Sequence, residues 1–241
     1  VRTVLDLIHE SIAAHDGKFA PISVEDLYAA NSFTREEIDE ERARIEAQRR
    51  AADGIERMGV ENARNESSLR RMTMACVPSR YRSVTSDQRR NAEFKSGKNA
   101  YVFGRSGSGK TTAACAMLRG WMDAGMGSGR FVPTVDLVAA AMPGGDESLI
   151  SSCMTCGLLV LDDLGKETHT QFSNATLFRV IDARYSNKRP TVVTSQLEPS
   201  AMARKLAECG DSETAGAIVS RLVYGAIRID TGNANYRREG N

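Results

Sequence analysis

Eight consecutive residues, Gly104-Arg105-Ser106-Gly107-Ser108-Gly109-Lys110-Thr111, have the types and spacing to grip a polyphosphate. Their pattern is G-x-x-x-x-G-K-T. Small residues let the backbone close around phosphate oxygens with its N–H groups turned inward. Lys110 carries an ammonium that can reach β and γ phosphates, and the Thr111 hydroxyl is a ligand for Mg²⁺. These eight residues and the adjoining Thr112 are the candidate nucleotide-binding set. About fifty residues later, Leu158-Leu159-Val160-Leu161 ends in Asp162-Asp163. Asp162 is suited to hold Mg²⁺ through its waters, and Asp163 to orient or deprotonate an attacking water. Lys110, Asp162 and Asp163 are therefore candidate catalytic residues, Thr111 and Asp162 candidate metal ligands, and ATP with Mg²⁺ the implied cofactors. Each piece has a plainer reading alone: a Gly/Ser-rich turn, and a strand ending in a polar turn. In sequence, they point to a P-loop ATPase.

The elements that must position these residues are legible as alternating apolar runs and helical stretches. That alternation is the mark of a parallel sheet with crossover helices. Strands are expected at Ala100–Phe103, Arg130–Val132, Leu158–Leu161, Thr191–Thr194 and Ala226–Ile229. Helices are expected around Thr111–Ala124, Val135–Ala141, Gln171–Ser186 and Ala215–Tyr224. The first of them starts at the phosphate loop and adds the positive end of its dipole to the cradle. Trp121, Met117, Leu118 and Met122 on that helix read as core. The run Leu158–Leu161 reads as a strand buried on both faces, with the acids at its C-terminal end, where open α/β sheets bind ligands.

Upstream the character changes. Val4, Leu5, Ile8 and Ile12 fall at helical spacing, Gly17 and Pro21 interrupt, and Ser23 caps a second short helix. From Thr34 to about Arg71 the chain is dense in Glu and Arg. Thr34 with Glu37 fits a capping box, and the few apolar residues suit a solvated helix or one that docks on a partner. We expect two domains: 1–75, a charged helical region, and 76–241, the ATPase domain.

Composition narrows the class further. The chain has 241 residues, 41% hydrophobic and 26% charged, with a formal net charge of +1, so bulk charge does not announce a nucleic-acid binder. No apolar run is long enough to span a bilayer, and no secretory signal is visible. Five cysteines without framework spacing suit reduced thiols, and a cytoplasmic location is expected. Cys153-x-x-Cys156 lacks a second ligand pair for zinc. His9, His15 and His169 lack partners for a triad or a metal.

Taken together, VPSRYRSVT (77–85), YVFGRSGSGKTT (101–112), LLVLDDLGKE (158–167), FRVIDARYSNKRPTVVTSQ (178–196) and IVSRLVYGA (218–226) resemble the AAA+ ATPases of the DnaC and IstB group. The resemblance covers about two thirds of the chain. It implies an α/β P-loop NTPase fold of AAA+ type: a five-stranded parallel sheet ordered 5-1-4-3-2, flanked by helices, with no lid subdomain and a small, mainly helical N-terminal region before it. It assigns Gln196, in Thr194-Ser195-Gln196, to a sensor position where the family usually has Asn; Gln offers the same hydrogen bonds from a longer arm. It makes Arg221 an arginine finger acting in trans on a neighbouring subunit, and Arg237 a residual sensor arginine. Arg80-Tyr81-Arg82 match a segment near the adenine.

The implied function is an ATP-hydrolysing, DnaC-like helicase loader in DNA replication. Its partners would be a replicative helicase held by the N-terminal region, single-stranded DNA contacted in the oligomer, and further copies of itself. An IstB-like transposition helper, with a transposase and duplex DNA as partners, is the alternative. A nucleotide-dependent scaffold with little turnover is a third reading.

Overall fold

The computed structural model describes residues 35–167, 170–208 and 211–232. The two short helices expected before Thr34, the Thr34 cap, the three histidines and Arg237 lie outside the described residues. The chain divides into two compact units, Val1–Arg64 and Asn65–Asn241.

Helix α1 spans Arg35–Met74. In the first unit its described side chains are exposed or half-buried, as a Glu/Arg-rich stretch with few large apolar residues requires. Local pairs such as Arg50–Glu46, 2.6 Å apart, decorate it and contribute little. Within the second unit its last turns differ: Ser68 and Met72 are buried, and Ser68 and Arg71 both donate to Asp123 at 2.7 Å.

The second unit is built on a parallel sheet. After short helix α2 (Asn91–Lys95) come β1 (Ala100–Phe103), α3 (Lys110–Asp123), β2 (Gly129–Pro133), α4 (Thr134–Ala140) and α5 (Glu147–Thr155). Then follow β3 (Leu158–Leu164), α6 (Gln171–Ser186), β4 (Thr191–Ser195), α7 (Pro199–Ala207), α8 (Ser212–Val223) and β5 (Ile227–Asp230). The strand order is β2-β3-β4-β1-β5, the order the family resemblance implied. Every pairing is parallel. Helices therefore cover both faces.

The pleat sorts side chains between two cores. Tyr101, Leu159, Leu161 and Val193 join α4 to α8 on one face. Ala100, Val102, Leu158, Val160 and Val192 pack with Leu118, Trp121 and Met122 of α3 on the other. Arg184 of α6 is an exception, a guanidinium only 1% exposed. It donates to the carbonyls of Cys153, Cys156 and Pro190 and to the Thr191 hydroxyl, at 2.6–2.9 Å. The cysteine pair is thus part of a structural knot tying the end of α5 to β4. Burial pushes the Cys153 thiol up to about 12, which keeps it inert. No metal-binding cluster occurs among the described residues.

Candidate nucleotide site

The phosphate loop lies between β1 and α3, at the C-terminal edge of the sheet. Gly104 takes φ 146°, and a Cβ there would meet Thr231 Oγ1 at 2.4 Å. Only glycine lets the loop run this close to the segment after β5. Gly109 caps α3 from the left-handed region at φ 84°, which turns the chain from loop into helix. Ser108 is buried, its hydroxyl 2.5 Å from that of Thr231. Lys110 is 5% exposed and donates across the loop to the Arg105 carbonyl at 2.8 Å. Arg105 itself is exposed.

Opposite the loop stands the end of β3. On a regular strand Asp162 and Asp163 would point to opposite faces. Here the register against β4 shifts between Leu161 and Leu164, and Asp163 takes φ 58°. This is a β-bulge, which re-aims side chains beside a site. Asp162 turns toward α3 and accepts from Thr111 Oγ1 at 3.0 Å, while Asp163 lines the adjoining cleft.

Thr194 holds the bulge together. Fully buried at the end of β4, its hydroxyl donates to Asp162 Oδ1 at 2.7 Å and accepts from the Asp163 N–H at 2.8 Å. One oxygen thereby fixes both acids. Thr134 adds a bond to the Asp162 carbonyl at 3.0 Å. Burial pushes the Asp162 carboxyl above the usual carboxylate range, and the neighbouring Asp163 charge adds to that. The Thr194 and Thr111 hydroxyls pull the other way. A buried acid beside a like charge, with a hydroxyl within reach, is a set of hard oxygen donors that suits Mg²⁺.

The cleft holds about 290 Å³ and is lined by Ser106, Gly107, Gly109, Lys110, Thr111, Thr112, Asp163 and Gln196, together with Arg80, Tyr81 and Lys166. Gln196 is exposed and set by its neighbours. The Ser195 hydroxyl donates to the Leu164 carbonyl at 2.8 Å, and the Tyr101 hydroxyl donates to the Leu197 carbonyl at 3.0 Å. A second, wider recess of about 1090 Å³ adjoins the cleft, sharing Gly109 and Thr112. Its far wall is the segment from Ser83 to Arg89.

Of the residues singled out from sequence, the loop, Thr111, Asp162, Asp163 and Gln196 come together. Arg221 does not join them in the same chain. It sits on α8, its Nε donating to Asp182 at 2.8 Å, with its guanidinium over the Phe178 and Tyr185 rings at 5.0 and 5.7 Å. Sequence reasoning missed Thr194 and Lys166. The signal for Thr194 was its place one strand over from Asp162, at the end of an otherwise apolar run.

The IstB-like ATP binding protein family matches residues 59–241. The chain belongs to this family. One relative, the insertion sequence ATP-binding protein y4pL of Sinorhizobium fredii, is 33% identical over 144 residues, 58% of this chain and 57% of its own length. The replicative helicase loader DnaC of Escherichia coli K12 is 25% identical over 167 residues, 63% of this chain and 67% of that protein. Among solved structures, the DnaC helicase loader superposes with a TM-score of 0.51 at 22% identity, covering 64% of this chain and 99% of the other. DnaI gives a TM-score of 0.51 at 24% identity, covering 59% and 79%. The IstB-like chain therefore has the AAA+ P-loop fold of an ATP-binding family. No helix among its described residues is long and apolar enough to cross a membrane.

Proposed function

We propose that this IstB-like chain is an ATPase that hydrolyses ATP in a cleft completed by a neighbouring copy, and that it serves as a DnaC-like loader of a replicative helicase. The observation that carries the ATPase reading is the single Thr194 oxygen that holds Asp162 against Thr111 and Asp163 in the cleft beside Lys110. In this reading the loop amides and Lys110 bind the β and γ phosphates. The base and sugar occupy the recess beyond Thr112, along Ser83–Arg89, with Arg80 and Tyr81 in the adjoining cleft. Thr111 and Asp162 hold Mg²⁺, which when bound neutralises charge on the phosphates. Asp163 and Gln196 orient the attacking water, and Asp163 accepts its proton. Arg221 leaves Asp182 and enters the site of the next subunit, where a guanidinium stabilises the transferring phosphoryl group. Arg237 is assigned to the nucleotide as a sensor.

What supports the loader role is the match to DnaC together with the charged helix α1 ahead of the ATPase core. Residues 1–75 hold the helicase, residues 76–241 form the ATPase domain, and aligned basic patches in the oligomer contact single-stranded DNA. A second reading, a transposition helper partnered by a transposase, is favoured by the 33% identity to the insertion-sequence protein.

ATP binding with Mg²⁺ is the first test. Lys110→Ala should abolish it, and unchanged binding would overturn the site. Arg221→Ala should bind ATP yet turn over slowly, and mixing it with Lys110→Ala protein should restore activity through hybrid sites. Absence of rescue in demonstrably mixed oligomers would remove Arg221 from the mechanism. Capture of a helicase rather than a transposase by the full-length chain decides between the two partners.

A further inference from the structure

We infer that Lys166 is a direct ligand for the terminal phosphate of the bound triphosphate, kept ready by Asp163 and handed over when that phosphate arrives. The inference rests on the nucleotide reading above. Lys166 follows Asp163 by three residues in a tight turn. Its N–H donates to the Asp163 carbonyl at 3.1 Å, and its Nζ donates to Asp163 Oδ2 at 2.8 Å. The side chain lines the same cleft as Lys110, Gly107 and Gln196.

The turn that carries it is anchored from outside. The Gly165 N–H donates to Glu167 Oε2 at 2.8 Å, and Lys205 of α7 donates to the Gly165 carbonyl. A Cβ on Gly165 would meet Met202 of α7 at 2.7 Å. Lys166 therefore starts from a fixed point, and only its flexible stem has to move.

Charge gives the pair a direction. Among the described residues lining the cleft, Arg80, Lys110 and Lys166 face one carboxylate, that of Asp163. Such a surplus of cations draws a polyanion. The Lys166 and Asp163 side chains are 49% and 35% exposed, and an ion pair that open to water contributes little to the fold. A phosphate of higher charge at the same cleft outcompetes it. The exchange also changes Asp163. A carboxylate tied to an ammonium is a poorer acceptor for water, and losing that partner frees it. A diphosphate, lacking the terminal group, leaves the pair intact. Lys166 thus couples recognition of the triphosphate to readiness of the acid that orients water.

The test uses the full chain and measures affinity for ATP and for ADP, each with Mg²⁺, by titration calorimetry. Lys166→Ala should weaken ATP binding about 10- to 100-fold, the range for a lost charged hydrogen bond, while ADP binding stays within about twofold, as expected where no contact is lost. Lys166→Arg should recover most of the ATP affinity. Equal weakening toward both nucleotides, or an unchanged ratio, would overturn the role of Lys166 and leave the nucleotide site standing. Failure of the folded wild-type chain to bind either nucleotide would overturn both. Lys166→Ala is a surface change, so an unaltered melting curve certifies that the fold is intact.

Discussion

Replacing Thr194 with Val keeps the shape of the side chain and removes the oxygen that joins the two acids. The Asp163 N–H loses its acceptor, and an orphaned buried donor costs about 1–3 kcal/mol. The Asp162 carboxylate loses a donor, and a hydrogen bond to a charged group is worth about 1.5–3 kcal/mol. The extra buried methyl returns about 0.8 kcal/mol. Thr194→Val should therefore lower the unfolding free energy by about 2–5 kcal/mol at neutral pH, read from urea melts. The pH dependence is the sharper test. Burial already holds the folded-state pKa of Asp162 above 3.8. Stability linked to the neutral acid is then fully present below the unfolded value and is lost as pH rises through the raised folded value. The Thr194 hydroxyl lowers that value, so its removal raises it further and widens the window of loss. The penalty of Thr194→Val should thus be larger at pH 7 than at an acid pH below the raised folded value, where a protonated Asp162 no longer needs the donor. Equal penalties at the two pH values, or one below about 1 kcal/mol at pH 7, would refute the bridging role, because that is the worth of a single ordinary hydrogen bond.

Other substitutions probe the frame around the site. Gly104→Ala drives a Cβ onto Thr231 at 2.4 Å in a left-handed backbone; a loss of about 1–3 kcal/mol by urea melt and weaker ATP binding are expected. Arg184→Met removes the donor serving the Cys153, Cys156 and Pro190 carbonyls, and should destabilise the chain by at least about 3 kcal/mol, since several buried acceptors are orphaned together. Asp182→Ala breaks the partly exposed pair with Arg221 and should shift the same melt by less than about 1 kcal/mol.

Much of this architecture was readable from residue types. The strand Ala100–Phe103 and the helix Gln171–Ser186 lie where their patterns put them, because apolar runs and helical periodicity report burial directly. Helix α5 was not anticipated. Ser151, Ser152 and Cys153 are weak helix formers, and the segment forms with Asp146 capping its first turn, accepting from Ser148 and Leu149 N–H groups. In the site, the phosphate loop could be read because its chemistry is local to eight residues. The arrangement of the acids could not. Asp163 reaches the cleft beside Asp162 through a bulge in the strand, and its N–H there is held by a hydroxyl from a different strand, 31 residues further on. In Thr194-Ser195-Gln196 the family resemblance assigns the sensor role to Gln196, and nothing local to the sequence marks the short Thr194 hydroxyl that reaches the acids. Lys166 was missed for a similar reason: its place follows from a turn whose shape is set by α7.

The strand order carries a consequence for how the molecule is made. β1, which launches the phosphate loop, pairs only with β4 and β5, both encoded far downstream. During synthesis the loop therefore leaves the ribosome attached to a strand with no neighbour, and it stays that way until the segment from Thr191 emerges. Long-range parallel pairing of this kind forms slowly and exposes apolar edges while it waits. A nascent chain stopped before β4 would carry the whole phosphate-binding motif and still lack the sheet that gives the motif its shape.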